Sequence, residues 1–234
     1  MKKLFDILRQ DGPELPNYHH VVAYETDDET VTVATALREI NQRETLDDVD
    51  GNPIEAIRWE SSCLQRKCGA CAMRINGRPR MACDTRIVEL EGQTVYLEPL
   101  GKFPVVADLI VDRRVLFDNL ESLGVWLEEP SALKEKRGDI AYEASRCLEC
   151  GCCLEVCPNF STQGQFAGMA AMVPLTRLLA DADVVERARL AKSYRDGVFA
   201  GCGKSLACRN ICPAEIEIDK LMARSNAAAL WRRW

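Results

Sequence analysis

Cys147-Leu-Glu-Cys150-Gly-Cys152-Cys153-Leu-Glu-Val-Cys157-Pro158 is the stretch from which the rest of the chain can be read. Cys147, Cys150, Cys153 and Cys157 follow C-x2-C-x2-C-x3-C and stop on proline, which is the bacterial ferredoxin spacing for a 4Fe–4S cluster. One register fits. Using Cys152 as third ligand leaves a single residue after Cys150, so Cys152 is the spare thiol and reads as a small buried apolar residue. Further on, Cys202, Ser205, Cys208 and Cys212, followed by Pro213, repeat the same offsets with serine in the second place. In two-cluster ferredoxins the fourth cysteine of each run serves the other cluster. That crossing assigns Cys147, Cys150, Cys153 and Cys212 to a 4Fe–4S cluster. Cys157, Cys202 and Cys208 are left for a second cluster that lacks one thiol. A serine hydroxyl is harder and far less acidic than a thiol, whose pKa is about 8.5. A 3Fe–4S cluster is therefore expected there, with Ser205 or a water holding a fourth iron as the alternative. Pro158 and Pro213 give each ligand loop a sharp exit.

Cys63-Leu-Gln-Arg-Lys-Cys68-Gly-Ala-Cys71, with Cys83 beyond it, follows the other iron–sulfur spacing, C-x4-C-x2-C with a distant fourth cysteine. A tight loop can supply three thiolates to a 2Fe–2S cluster and a neighbouring strand the fourth. Asn76-Gly77 is a strong two-residue hairpin signal that folds Cys83 back toward the loop. Gly69 lets backbone amides approach the cluster sulfides. A four-cysteine zinc site is the competing reading, although C-x4-C-x2-C is unusual for zinc. The 12 cysteines thus divide as four, four, three and one.

Composition sets the frame. The chain has 234 residues, 47% hydrophobic and 28% charged, which is ordinary for a globular protein. A net charge of −6 argues against a nucleic-acid binder. No apolar run approaches the roughly 18 residues of a membrane helix. The basic start Met1–Gln10 is broken by Asp6 and Arg9, so it does not read as a signal peptide. A cytoplasmic setting is expected, where grouped cysteines serve as ligands rather than disulfides.

Lys3–Arg9, Tyr18–Glu25, Ala72–Ile75, Arg80–Cys83 and Thr94–Leu97 read as strands, and Val31–Asn41 as an amphipathic helix. One helix across a small mixed sheet, followed by a cysteine-rich loop, is the expected first half. His19 and His20 read as ordinary strand residues. Val105, Val106, Leu109, Ile110, Leu116, Leu120 and Leu123 read as helix. Gly124 and Glu129-Pro130-Ser131 are breaks, which places the domain boundary between 125 and 126. Thr176–Tyr194 and Glu215–Arg233 read as helices around the cysteine runs, so 126–234 is a mainly helical domain whose small core depends on metal-binding energy.

With both halves in view, the chain resembles the iron–sulfur subunit of the succinate dehydrogenase/fumarate reductase family over nearly its whole length. The residues that carry the resemblance are Phe103–Asp112, Cys147–Pro158, and Cys202–Cys208 with Cys212-Pro213. It implies an α+β fold, in which a β-grasp, plant-type 2Fe–2S ferredoxin domain (1–125) precedes an α-helical ferredoxin domain (126–234). It also implies an electron relay between an FAD-containing flavoprotein subunit and quinone in a membrane anchor, at the cytoplasmic face of the membrane. Cys63, Cys68, Cys71 and Cys83 would hold 2Fe–2S nearest the flavin. Cys147, Cys150, Cys153 and Cys212 would hold 4Fe–4S. Cys157, Cys202 and Cys208 would hold 3Fe–4S nearest the quinone.

Ubiquinone-using members carry a tryptophan soon after the proline and a histidine after the first cysteine of the last run. Here those places read Asn159-Phe160-Ser161-Thr162 and Gly203-Lys204, more like menaquinone-linked members with haem b-bearing anchors. Pro158 and Lys204 are the candidates for the quinone vicinity. No glycine-rich dinucleotide motif is present, which assigns the flavin to the partner. Lys220–Trp234 is basic and ends Leu230-Trp-Arg-Arg-Trp, which suits docking near a membrane or an anchor subunit, or a helix end complementing its own dipole. Two other functions compete: the relay of a soluble flavin-dependent reductase with a non-quinone donor, and a zinc-stabilised interaction module.

Overall fold

Alternation decides the first strand. In β1 (Lys2–Arg9), Phe5, Ile7 and Arg9 turn inward while their neighbours stay partly exposed. β2 (Tyr18–Glu25) pairs antiparallel along its whole length, from Lys2↔Glu25 to Arg9↔Tyr18. This is the computed structural model of the chain, and it describes residues 1–127 and 139–231. α1 (Val33–Asn41) buries Val33, Ala34, Ala36, Leu37 and Ile40 on one face, as its periodicity requires. Thr32 caps it, with its Oγ1 accepting from the Thr35 N–H at 3.2 Å.

β3 (Ala72–Ile75) and β4 (Arg78–Met81) form a hairpin about Asn76 (φ 50°) and Gly77 (φ 73°), both left-handed as a type I′ turn demands. β5 (Thr94–Glu98) runs parallel to β1 and antiparallel to β3, which closes a sheet of order β2-β1-β5-β3-β4. The strand expected over Arg80–Cys83 stops at Met81, and Ala82–Asp84 is a 3₁₀ turn, so Cys83 is carried by a turn.

The helix expected through Val105–Ile110 is not formed. Those residues make a second hairpin, β6 (Val105–Ala107) and β7 (Ile110–Val111), with Asp108 at the corner in a left-handed conformation (φ 45°). The cause is a buried charge. Asp108 is fully buried and accepts from Gln10 N–H at 3.1 Å, Arg58 N–H at 2.9 Å and Arg58 Nε at 2.9 Å. Arg9, itself 1% exposed, places Nε 3.0 Å from Asp108 Oδ1 as an ion pair out of hydrogen-bond alignment. Its other nitrogens donate to the Glu55 and Ala56 carbonyls, both at 3.1 Å. These partners lie far away in sequence, so hydrophobic periodicity could not reveal them.

By internal contacts the chain divides into Met1–Asp112 and Arg113–Trp234, ahead of the boundary placed at 125/126. α2 (Arg114–Ser122) groups with the later helices because it packs on one of them, α5. α3 (Asp139–Ser145) and the short α4 (Cys152–Glu155) precede α5 (Gly168–Asp181). The single helix expected over Thr176–Tyr194 is interrupted. Ala182 is extended, and Asp183 caps α6 (Val184–Tyr194) by accepting from Glu186 N–H at 2.9 Å. A π-helical turn, Arg195–Phe199, follows. α7 (Ile218–Leu230) packs on α5, where Thr176 and Ser225 hydroxyls meet at 2.6 Å in the interior. The break expected at Glu129-Pro130-Ser131 and the terminal Arg232-Arg-Trp lie outside the described residues.

Candidate metal centres

In the first unit, Cys63, Cys68 and Cys71 lie on an irregular loop between α1 and β3. The β3–β4 hairpin returns the chain to that loop, so Cys83 N–H donates to Cys71 Sγ at 3.4 Å and Arg66 N–H to Cys83 Sγ at 3.3 Å. Gln65 and Lys67 N–H both donate to Cys63 Sγ at 3.3 Å. Left-handed Leu64 and Arg66 turn successive amides inward, as anion-holding loops do. The Gln65 and Lys67 amides lower the Cys63 pKa to about 7, whereas burial pushes the Cys71 thiol up to about 12. The loop is built to hold anionic sulfur.

In the second unit, Cys147, Cys150, Cys153 and Cys212 line one small pocket, together with Met169, Ala170 and Val173 of α5 and with Ile216 and Ile218. Burial pushes the Cys153 thiol up, and the neighbouring Cys150, Cys147 and Cys212 push it further. Cys147 is raised in the same way by burial and by Glu149. Burial, with Cys157 and Cys202 beside it, lifts the Cys208 thiol to about 11. Cys212 thus stands with the first run, and Cys157 with the second. Thiols this crowded cannot all ionise unaided, and irons supply the positive charge that deprotonates a coordinating thiol. The residues fit such a group. Among the described residues, no three His, Cys, Asp or Glu side chains converge where one ion could sit. Four cysteines around a multi-iron cluster ring a volume instead.

Ser205 is exposed, and its Oγ accepts from Ala207 N–H at 3.5 Å. Lys204 is exposed and left-handed (φ 56°), with Nζ 5.2 Å from the centre of the Phe199 ring. Pro158 is exposed as well. Asn159 ties the exit of one run to the entry of the next by donating Nδ2–H to the Gly201 carbonyl at 2.9 Å. A Cβ on Gly203 would stand 3.0 Å from Asn159 Oδ1, so the pair is packed side by side.

Sequence spacing passed over two residues here. Glu149 is left-handed (φ 48°), burial raises its pKa to about 7, and its Oε2 is buried without a hydrogen-bond partner. Arg113 adds a favourable charge for the Cys150 thiolate. Position beside a ligand is the one hint for Glu149, and nothing local signals Arg113.

Residues 4–118 match the family model of a 2Fe-2S iron-sulfur cluster binding domain, and residues 143–216 that of a 4Fe-4S dicluster domain. The chain is 35% identical to the succinate dehydrogenase iron-sulfur subunit of Bacillus subtilis over 95% of its own length and 90% of that subunit. It belongs to the succinate dehydrogenase/fumarate reductase iron–sulfur subunits. The fumarate reductase iron-sulfur subunit of Wolinella succinogenes is 31% identical over 71% of the chain and 75% of that subunit. A chain of the Mycobacterium smegmatis Sdh1 complex in the apo form superposes with a TM-score of 0.73 at 24% identity, covering 98% of this chain and 97% of that one.

Membership makes the protein the electron-transferring iron–sulfur subunit of an oxidoreductase complex, with flavoprotein and membrane-anchor companions. The α+β reading holds: a 2Fe–2S ferredoxin-like domain precedes a 4Fe–4S dicluster domain. No helix among the described residues is long and apolar enough to cross a membrane.

Proposed function

We propose that this subunit relays electrons between the FAD of a flavoprotein partner and menaquinone at a haem b-bearing anchor, on the cytoplasmic face of the membrane. The observation that carries the proposal is the sorting of thiols into three separate groups, two of them assembled across the sequence runs. In this reading Cys63, Cys68, Cys71 and Cys83 hold 2Fe–2S; Cys147, Cys150, Cys153 and Cys212 hold 4Fe–4S; and Cys157, Cys202 and Cys208 hold 3Fe–4S. Bound clusters supply one-electron redox chemistry, over potentials of roughly −700 to +450 mV across the known types. The chain's part is to set those potentials. Loop amides stabilise the anionic sulfur of Cys63, and Met169, Ala170 and Val173 of α5 give the pocket of Cys153 an apolar wall.

The exposed segment 203–207, which includes Lys204, and the exposed Pro158 support placing the quinone at this end. Gly203-Lys204 stands where ubiquinone users carry their histidine, and Asn159-Phe160-Ser161-Thr162 lacks their tryptophan, which supports menaquinone. In the complex purified from membranes, succinate-dependent reduction of a menaquinone analogue should exceed that of a ubiquinone analogue. Turnover confined to a soluble donor would overturn the quinone assignment. Zinc in place of iron would overturn the relay.

Ser205→Cys tests the missing thiol. The oxidised three-iron paramagnetic resonance signal should fall in favour of a four-iron cluster of lower potential. An unchanged signal would show that the surroundings, and not residue 205, exclude the fourth iron.

A further inference from the structure

One stripe along α6 and the turn after it has no part in holding the clusters. Val184, Arg187, Ala188, Ala191 and Arg195 recur at helical spacing, and with two alanines of α7 they line a groove of about 540 Å³. Apart from the two guanidinium groups the lining is alanine and valine, with no carboxylate. Each guanidinium is tethered at one nitrogen. Arg187 Nη2 donates to the Ala182 carbonyl and Arg195 Nη1 to the Ala229 carbonyl, both at 2.8 Å. Neither makes an ion pair among the described residues, whereas the neighbouring Arg189 and Lys192 are paired with Glu186 and Asp196. Asp183, at the start of the helix, is engaged as its cap. The surroundings are apolar and open to solvent: Val184 and Val185 are 82% and 78% exposed, and Trp231, one turn beyond Ala228, is 67% exposed. Two fixed cations over an apolar floor, in a chain of net charge −6, suit an anion with an apolar body. The chain's own end, Arg232-Arg233-Trp234, is basic, so charge opposes it as the occupant.

We propose that this groove binds an anionic phospholipid, with its phosphate on Arg187 and Arg195 and part of an acyl chain along the alanine floor. The phosphate oxygens accept from the guanidinium N–H groups that the Ala182 and Ala229 carbonyls leave over. A floor of alanines offers no deep hole to a bulky side chain, and an unbranched chain can lie on it. Val184 and Val185 enter the headgroup region, where apolar side chains beside basic ones hold a helix at a membrane surface. The inference goes beyond the relay, because it gives the subunit its own hold on the membrane whichever quinone is used.

The test is flotation of the full-length, cluster-loaded chain with two kinds of vesicle, phosphatidylcholine alone and equal parts of phosphatidylcholine and phosphatidylglycerol. Wild type should float with the mixed vesicles and stay behind with the neutral ones. Arg187→Gln combined with Arg195→Gln should weaken that binding roughly thirtyfold, at about 1 kcal/mol for each charge. Lys192→Gln removes a charge away from the groove and should change it far less. Val184→Asp alters an exposed position and should also weaken binding, so it reports even where the glutamine pair fails to load its clusters. Wild-type binding by the glutamine pair or by Val184→Asp would overturn the proposal, as would equal binding to both vesicles. Capture of glycerol phosphate from solution without vesicle binding would make this a free-phosphate site and overturn it. Self-association abolished by the glutamine pair, again without vesicle binding, would give the groove to a second copy. The relay reading fails separately, in quinone turnover and cluster signals.

Discussion

Cys212→Ala is expected to abolish the 4Fe–4S signal of the complex, and Cys157→Ala to abolish the 3Fe–4S signal, each against its own sequence run. The expectation comes from the thiol neighbourhoods. Cys212 shares a cavity with Cys147, Cys150 and Cys153, while Cys157 stands with Cys202 and Cys208. The 2Fe–2S signal should survive both changes, because its ligands lie in the other compact unit. The effect should be total, because metal binding is also folding energy in such a unit, with about 10 kcal/mol or more measured for structural zinc as a guide. Paramagnetic resonance with iron content per chain reads the outcome. A Cys212→Ala complex that loses only its three-iron signal would sink the crossed assignment.

Asp108→Asn should destabilise the first unit by on the order of 3 kcal/mol, within the range for breaking a buried ion pair from one side. Asparagine tolerates the left-handed backbone at 108, so the change isolates the charge. What remains is Arg9, 1% exposed, facing a neutral amide. Denaturant midpoints followed through the visible absorbance of the 2Fe–2S centre measure the loss, and an unchanged midpoint would refute it. Burial alone would raise the Asp108 pKa, but hydrogen bonds from Arg58 and the paired Arg9 charge outweigh it and hold the pKa below the ordinary 3.8. A depressed carboxylate contributes its full stability above the unfolded value, and loses it as pH falls through the folded one. The wild-type unit should therefore weaken below about pH 4, and the Asp108→Asn variant should lack that part of the acid transition.

Some of this architecture is legible because its causes are local. Asn76-Gly77 announces its hairpin since a type I′ turn needs two left-handed residues in succession. The Val33–Ile40 face announces α1 because helical burial repeats along the chain. Val105–Ile110 misled, since apolar spacing there fits a helix while a buried carboxylate, held by Arg9 and Arg58 from far back in the chain, fixes a hairpin. The same limit applies at the site. Glu149 stands beside a ligand in the sequence, and only its burial shows a carboxylate oxygen without a hydrogen-bond partner.

What the sequence determined by itself was the number and kind of the redox centres, because ligand spacing within a loop is a short-range property and Ser205 breaks a repeat that can be counted. The tertiary structure alone decided how the Cys63 loop turns its amides inward and where Asp108 is buried. Those depend on segments that meet only after folding, where burial, opposing charge and hydrogen bonding act together on groups far apart in the chain.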